Sequence, residues 1–277
     1  MTAEPEILKL CQEAAQALPT LFTDWQTPAV FLQLGPGFQL AGLFDDTPQQ
    51  CSLSQLPGLP THPTPDGIHP ELLFGHCCGQ PFLALAGHRH LAESLGLPPC
   101  LLPCAAVCLC GCRRLLLASC GLSLKQDIKA GTWTLLTDFL NWHHLSPLDG
   151  LSSLFPNAYP DMTLALSQEF NSDIVNSFAE VGIHPRLVTY LSFPGHHFCT
   201  YAEASLLRTL GTDIYGHDLV MEIMLGHALG VQVSALVLAA GQMLDGLPHR
   251  LTRREVLETA EFCSRDLMRG IRKMLTV

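Results

Sequence analysis

LVTYLSFPGHHFCTYAEASLLRTLGTDIYGHDLVMEIMLGHALG, residues Leu187 to Gly230, decides the fold. Val188, Tyr190 and Leu191 make an apolar strand that Pro194 and Gly195 end. From Tyr201 to Leu210 the apolar residues Ala202, Leu206, Leu207 and Leu210 recur at helical spacing, and Gly211 stops that helix. Ile214 and Tyr215 begin a second strand, which Gly216 turns. Asp218 is placed to cap the next helix, whose buried stripe takes in Leu219, Ile223 and Leu225. Strand ends and helix starts thus converge on His196 to Thr200 and on Gly216 to Asp218. Ligand pockets of α/β folds sit at such places.

The composition agrees with a packed globule. The chain has 277 residues, 48% of them hydrophobic and 14% charged, enough for one large α/β domain. A net charge of −10 with only 15 Lys and Arg argues against nucleic acid or an acidic membrane as partner. Met1 to Ile7 is acidic and lacks the basic start of a signal peptide, so a cytoplasmic protein is expected. The 12 cysteines are then reduced thiols. Cys100, Cys104, Cys108, Cys110, Cys112 and Cys120 crowd together, but without the paired spacing of a zinc site. Small buried core residues are the expected reading, and no metal or cofactor is assigned. Leu101 to Leu117 is apolar but cut by Arg113 and Arg114, which predicts a buried helix, a turn at Gly111 and a buried strand.

The flanking chain continues the alternation. Pro5 to Leu18 has the pattern of an amphipathic helix. Ala29 to Leu34 is a short strand running into Gly35-Pro36-Gly37, where exposed backbone amides suit an anion. Thr47 to His69 is proline-rich and reads as loop. Leu72 to His76 and Gln80 to Ala86 read as a hairpin about Cys77-Cys78-Gly79. Leu115 to Ser119 and Val231 to Ala240 are further strands, and Ser167 to Val181 and Met268 to Val277 are helical.

The series resembles the trimeric purine nucleoside phosphorylases and the related methylthioadenosine phosphorylases. Their Gly-Pro-Ser-Phe-Glu-Thr-x-Ala-Glu run is matched by Gly195-His-His-Phe198-Cys199-Thr200-Tyr-Ala202-Glu203. Their Gly-Ala-Asp-x-x-Gly-Met-Ser-x-x-x-Glu run is matched by Gly211-Thr-Asp213-Ile-Tyr-Gly216-His217-Asp218-Leu-Val-Met-Glu222. Ala118-Ser119-Cys120-Gly121 is close to the Thr-Ala-Cys-Gly of the methylthioadenosine enzymes. Gly87-His88-Arg89-His90-Leu91-Ala92-Glu93 stands for Gly-Arg-Phe-His-x-Tyr-Glu, and Arg253-Arg-Glu255 matches the start of the last family helix. The resemblance covers nearly the whole chain. It implies one nucleoside phosphorylase-like domain over residues 1–277: a three-layer α/β/α fold with a central mixed sheet flanked by helices.

It also implies a site, and at that site the residues depart from the family. The phosphate positions are Gly35, Pro36, His88, His90 and Ser119. Pro36 replaces the serine of the phosphate loop and His88 the phosphate arginine; His90 alone is retained as a catalytic candidate. The nucleoside positions are Cys120, Phe198, Cys199, His217, Asp218, Arg253 and Phe155. Cys199 replaces the glutamate and Ala240 or Gly241 the asparagine that hold the base, with Asp245 a distant substitute. Arg253 replaces a sugar-binding histidine, and Phe155 stands where a loop phenylalanine reaches a neighbouring subunit. Cys199, beside His196 and His197 at a helix start, can be read as a nucleophile or as a space-filling residue. Phosphorolysis needs oriented donors for phosphate and for the leaving base, and one lost donor typically costs roughly a hundred- to a thousand-fold in rate. The expectation is a degenerate site in a homotrimeric protein that acts by binding or protein interaction. The alternative is an active phosphorylase or nucleosidase, with phosphate as co-substrate held by His88 and His90, and ribose by Asp218.

Overall fold

The computed structural model of the protein describes residues 6–244 and 251–276. Nine strands form one mixed sheet among these residues: β1 (Val30–Leu34), β2 (Gln49–Ser52), β3 (Glu71–Cys77), β4 (Gln80–Ala86), β5 (Arg114–Ser123), β6 (Trp133–Asn141), β7 (Arg186–Ser192), β8 (Ile214–Gly216) and β9 (Gln232–Gln242). Their order is β2-β3-β4-β1-β5-β8-β7-β6-β9. β9 also pairs with β5, so strands β5 to β9 close on themselves while β2, β3, β4 and β1 extend from β5 as an open wing. A register shift between Gly121 and Leu122 lets β5 serve both parts: its first half pairs with β1, its end with β8.

The helices are α1 (Glu6–Ala17), α2 (Pro98–Leu109), α3 (Gln168–Glu180), α4 (Tyr201–Thr209), α5 (Val220–Ala228) and α6 (Arg253–Met274). α1, α2 and α5 share one core with one sheet face, through Leu8, Leu101, Val107, Leu115 and Ile223. α3 and α6 cover the other through Phe170, Ile174, Phe178, Leu267 and Ile271. The central mixed sheet flanked by helices is the expected fold class. The stretch from Leu187 to Gly230 supplies β7, α4, β8 and α5 in the expected order. The β3–β4 hairpin closes through Cys78 and Gly79 at φ 52° and 75°, the two left-handed residues of a type I′ turn.

One local expectation is corrected. The proline-rich segment contains the edge strand β2, because Cys51 and Leu53 are buried and Gln50 and Cys51 pair with Leu73 and Leu72. α4 buries Ala204 and Leu207 and leaves Leu206 and Leu210 exposed, so the apolar residues are split between two faces.

Candidate active site

Four chain segments meet at the C-terminal ends of β1, β4, β5 and β8. After β1, the Gly35 amide donates to the Ala118 carbonyl at 2.8 Å. A Cβ at Gly35 would lie 2.7 Å from Ser119 Oγ, so only glycine lets the β1 loop lie this close to β5. Ser119 Oγ donates to Asp218 Oδ2 at 2.6 Å, and the Tyr190 hydroxyl, from β7, donates to Asp218 Oδ1 at 3.2 Å. His88 lies beyond β4 and is 1% exposed. Its Nδ1 donates to the Leu34 carbonyl at 3.1 Å, since a carbonyl only accepts, and its Nε2 stands 3.2 Å from Asp218 Oδ2. The His90 ring packs on His88 with centroids 4.3 Å apart.

Asp218 therefore does not cap α5, as the sequence suggested. The N-cap position is Leu219, at φ 72°, and the Val220 amide closes a γ-turn on the Asp218 carbonyl at 2.9 Å. This uncommon backbone turns the carboxylate back toward β5 instead of over the helix start. Burial opposes charge on Asp218, but the facing His88 and Ser119 prevail and hold its carboxyl well below the usual range. Burial likewise opposes a proton on His88, yet Asp218 beside it raises its proton affinity. His90 is driven the other way, down to about 3, by burial and then by the neighbouring His88. Below this group Glu222 is buried, accepts from Gln33 Nε2 at 2.9 Å, and is raised by burial.

An open cleft of about 200 Å³ meets this cluster at His90 and is lined further by His196, His197, Phe198, His217 and Arg253. The His217 Nδ1 donates to the Phe193 carbonyl at 2.9 Å. Arg253 forks onto Asp66, with Nε 3.1 Å from Oδ1 and the terminal nitrogen 2.6 Å from Oδ2. The arginine holds the Asp66 carboxyl below its usual value. Asp66, Tyr190 and Glu222 did not emerge as site residues from the sequence. Asp66 lies in a proline-rich turn without periodicity, and the other two sit where apolar strand and helix stripes mask polar roles.

The structure thus brings Gly35, His88, His90, Ser119 and Asp218 together and sets Phe198, His217 and Arg253 on the adjoining cleft. Other candidates lie elsewhere. Arg89 does not replace the missing arginine; it turns away to Glu93 at 2.9 Å and to the carbonyls of Pro60 and His62. Pro36 is buried and has no amide to offer. Cys199 is buried in an apolar cluster with Phe193, Leu207 and Tyr215, and its amide donates to the Tyr215 hydroxyl at 3.2 Å. Burial pushes its thiol up, which is opposite to what a nucleophile needs. Burial raises the Cys120 thiol too. Phe155 packs in the main core with Leu151. Gly241 faces Leu251, whose Cδ1 would lie 2.8 Å from an added Cβ, so apolar packing fills the place of the base-holding amide. Asp245 lies outside the described residues.

With the geometry in view, the comparisons with known proteins are specific. The family model described as the phosphorylase superfamily matches residues 70–276. A purine nucleoside phosphorylase of Mycobacterium leprae is 31% identical over 209 residues, 74% of this chain and 72% of that one. The chain belongs to the purine nucleoside phosphorylase family. Purine nucleoside phosphorylase 1 of Geobacillus stearothermophilus is 24% identical over 267 residues, 95% of this chain and 96% of its own. The fold matches Schistosoma mansoni purine nucleoside phosphorylase, solved with inosine, at a TM-score of 0.85 and 20% identity, covering 97% of this chain and 96% of that one.

Proposed function

We propose that this family member does not carry out phosphorolysis and that its cleft serves to bind a purine nucleoside or a related ligand. The observation that carries this reading is the Asp218 carboxylate. It accepts the Ser119 hydroxyl's hydrogen bond and faces His88 among the positions where the family seats phosphate. A buried anion there repels an incoming phosphate, and the nearby arginines are already committed, Arg89 to Glu93 and Arg253 to Asp66. The base end supports the same reading, since Cys199 and Gly241 offer no acceptor or proton donor suited to a departing purine. The exposed Tyr201 and Leu206 of α4, with Leu210 just past its end, give apolar surface consistent with self-association into the family's trimer. Light scattering of the purified chain reads the assembly state.

A second reading has its own support. The cleft is open and keeps His90, His217 and Arg253 at its wall, so a nucleosidase using water in place of phosphate is the active alternative. One assay separates the two. Purified protein is incubated with inosine, guanosine, adenosine and methylthioadenosine, with and without phosphate, and free base is measured. No release, with ligand-induced stabilisation by at least one nucleoside, is the expected result. Phosphate-dependent release refutes the main reading, and phosphate-independent release favours the nucleosidase.

A further inference from the structure

The orphaned nitrogen of His88 points beyond nucleoside chemistry. Nδ1 is committed to the Leu34 carbonyl, which fixes Nε2 as the ring atom turned into the site. That Nε2 is fully buried, and its polar neighbour is Asp218 Oδ2 at 3.2 Å, a contact that is a hydrogen bond only when the nitrogen carries a proton. A buried ring nitrogen this close to a carboxylate shares with it either a proton or a metal ion. We propose that His88, His90 and Asp218 bind one divalent transition-metal ion of the zinc class.

The donor set suits that chemistry. Two imidazoles and one carboxylate with an open position form the three-ligand arrangement of zinc and related ions. Their ligand atoms all lie within 4.8 Å of one another, the one such trio of His, Cys, Asp or Glu among the described residues. With metal bonds of roughly 2.0–2.2 Å, neighbouring tetrahedral ligands sit roughly 3.4 Å apart. The His88–Asp218 separation of 3.2 Å already meets that edge, and His90 offers the third donor within 4.8 Å. The outer contacts are those that orient metal ligands: a backbone carbonyl on the far nitrogen of His88, and Ser119 and Tyr190 on the Asp218 oxygens. A cavity of about 10 Å³ beside His90, His143, His217 and Asp218 has room for about one water or ion. The crowded cysteines, read from the sequence as core residues, supply no such trio among the described residues. The competing occupant is a proton on Nε2, making an imidazolium paired with Asp218.

The test needs no nucleoside, so it stands apart from the functional reading above. Full-length protein is stripped with a chelator, dialysed, and titrated with zinc and with cobalt(II) by calorimetry. Visible absorption of the cobalt form reports the coordination sphere. One equivalent of metal is expected, with cobalt bands of a four- or five-coordinate site. His90→Gln and Asp218→Asn should each weaken binding at least tenfold, while His184→Gln, at an exposed histidine, leaves it unchanged. Circular dichroism checks that each variant folds, and His90→Gln decides if a change at the deeper His88 or Asp218 does not. Binding equal in His90→Gln and wild type, or no saturable equivalent in wild type, overturns the proposal in favour of the protonated pair.

Discussion

Asp218→Asn tests the repulsion argument directly. Asparagine keeps the shape, and Ser119 Oγ can still donate to the amide oxygen across the 2.6 Å contact. The charge leaves, and the Tyr190 hydroxyl turns from donating to Oδ1 to accepting from the new amide. A phosphate seated on Ser119, His88 and His90 would place an oxygen within about 4 Å of the Asp218 carboxylate, where each pair of unit charges costs about 4 kcal/mol at an effective dielectric of 20. His88, 3.2 Å from the carboxylate, offsets part of this when protonated. A net gain near half that figure, about 2 kcal/mol, corresponds to roughly thirty-fold tighter phosphate binding. Equilibrium dialysis with labelled phosphate, on chelator-treated protein at neutral pH, reads it. Wild-type protein binding phosphate as tightly as Asp218→Asn refutes the claim that the carboxylate excludes the anion. Weaker binding by the variant refutes it more strongly, because Asp218 would then be acting as a partner of phosphate.

Three other outcomes follow from the packing and charge. Glu222 has a native carboxyl raised by burial, so the native state holds its proton to higher pH than the unfolded chain does. Stability is then full at low pH and falls as pH rises toward the raised native value, by up to about 1.4 kcal/mol per pH unit; Glu222→Gln, which keeps the Gln33 bond, should flatten that slope in urea titrations across pH. Gly35→Ala puts a methyl 2.7 Å from Ser119 Oγ and 3.2 Å from its Cα, and should cost about 1–3 kcal/mol in chemical denaturation while pushing Ser119 off Asp218. Of the 12 cysteines only Cys78, Cys110 and Cys120 are other than buried, so a native-state thiol titration should count no more than three until denaturant is added; rapid modification of Cys199 would reopen its nucleophile reading.

Much of the fold was legible because its signals are local and redundant. Val188, Tyr190 and Leu191 followed by Pro194 leave little but a buried strand with a loop after it, and the Cys78-Gly79 turn follows from two short apolar runs. β2 escaped because four residues among prolines carry no period, and its pairing with β3 is decided across the sheet. The buried face of α4 was not legible for a related reason: apolar residues at helical spacing show that a helix forms, not which of two apolar faces turns inward. At the site, Gly35, His88, His90, Ser119 and Asp218 were found by position in a family pattern. The contacts among them were hidden because Asp218 before a helix reads as a cap. Only the positive φ at Leu219, a tertiary decision, turns it inward.

That turn bears on what the cluster is for. A buried leucine at φ 72° is strained, at a cost of order 1–3 kcal/mol. Taking the Asp218 carboxylate out of water costs several kcal/mol more before its partners respond. Buried charge pairs of this sort are often replaceable by apolar residues at no loss, or with a gain, in stability. Strain and buried charge at the same point are therefore hard to assign to folding alone. They fit a position kept for what it presents to the cleft. The distinction is measurable in the combined replacement of His88 and Asp218 by leucine and asparagine. A purely structural pair leaves nucleoside binding intact as stability holds or rises, whereas a functional pair loses ligand or metal binding in a protein no less stable than the parent.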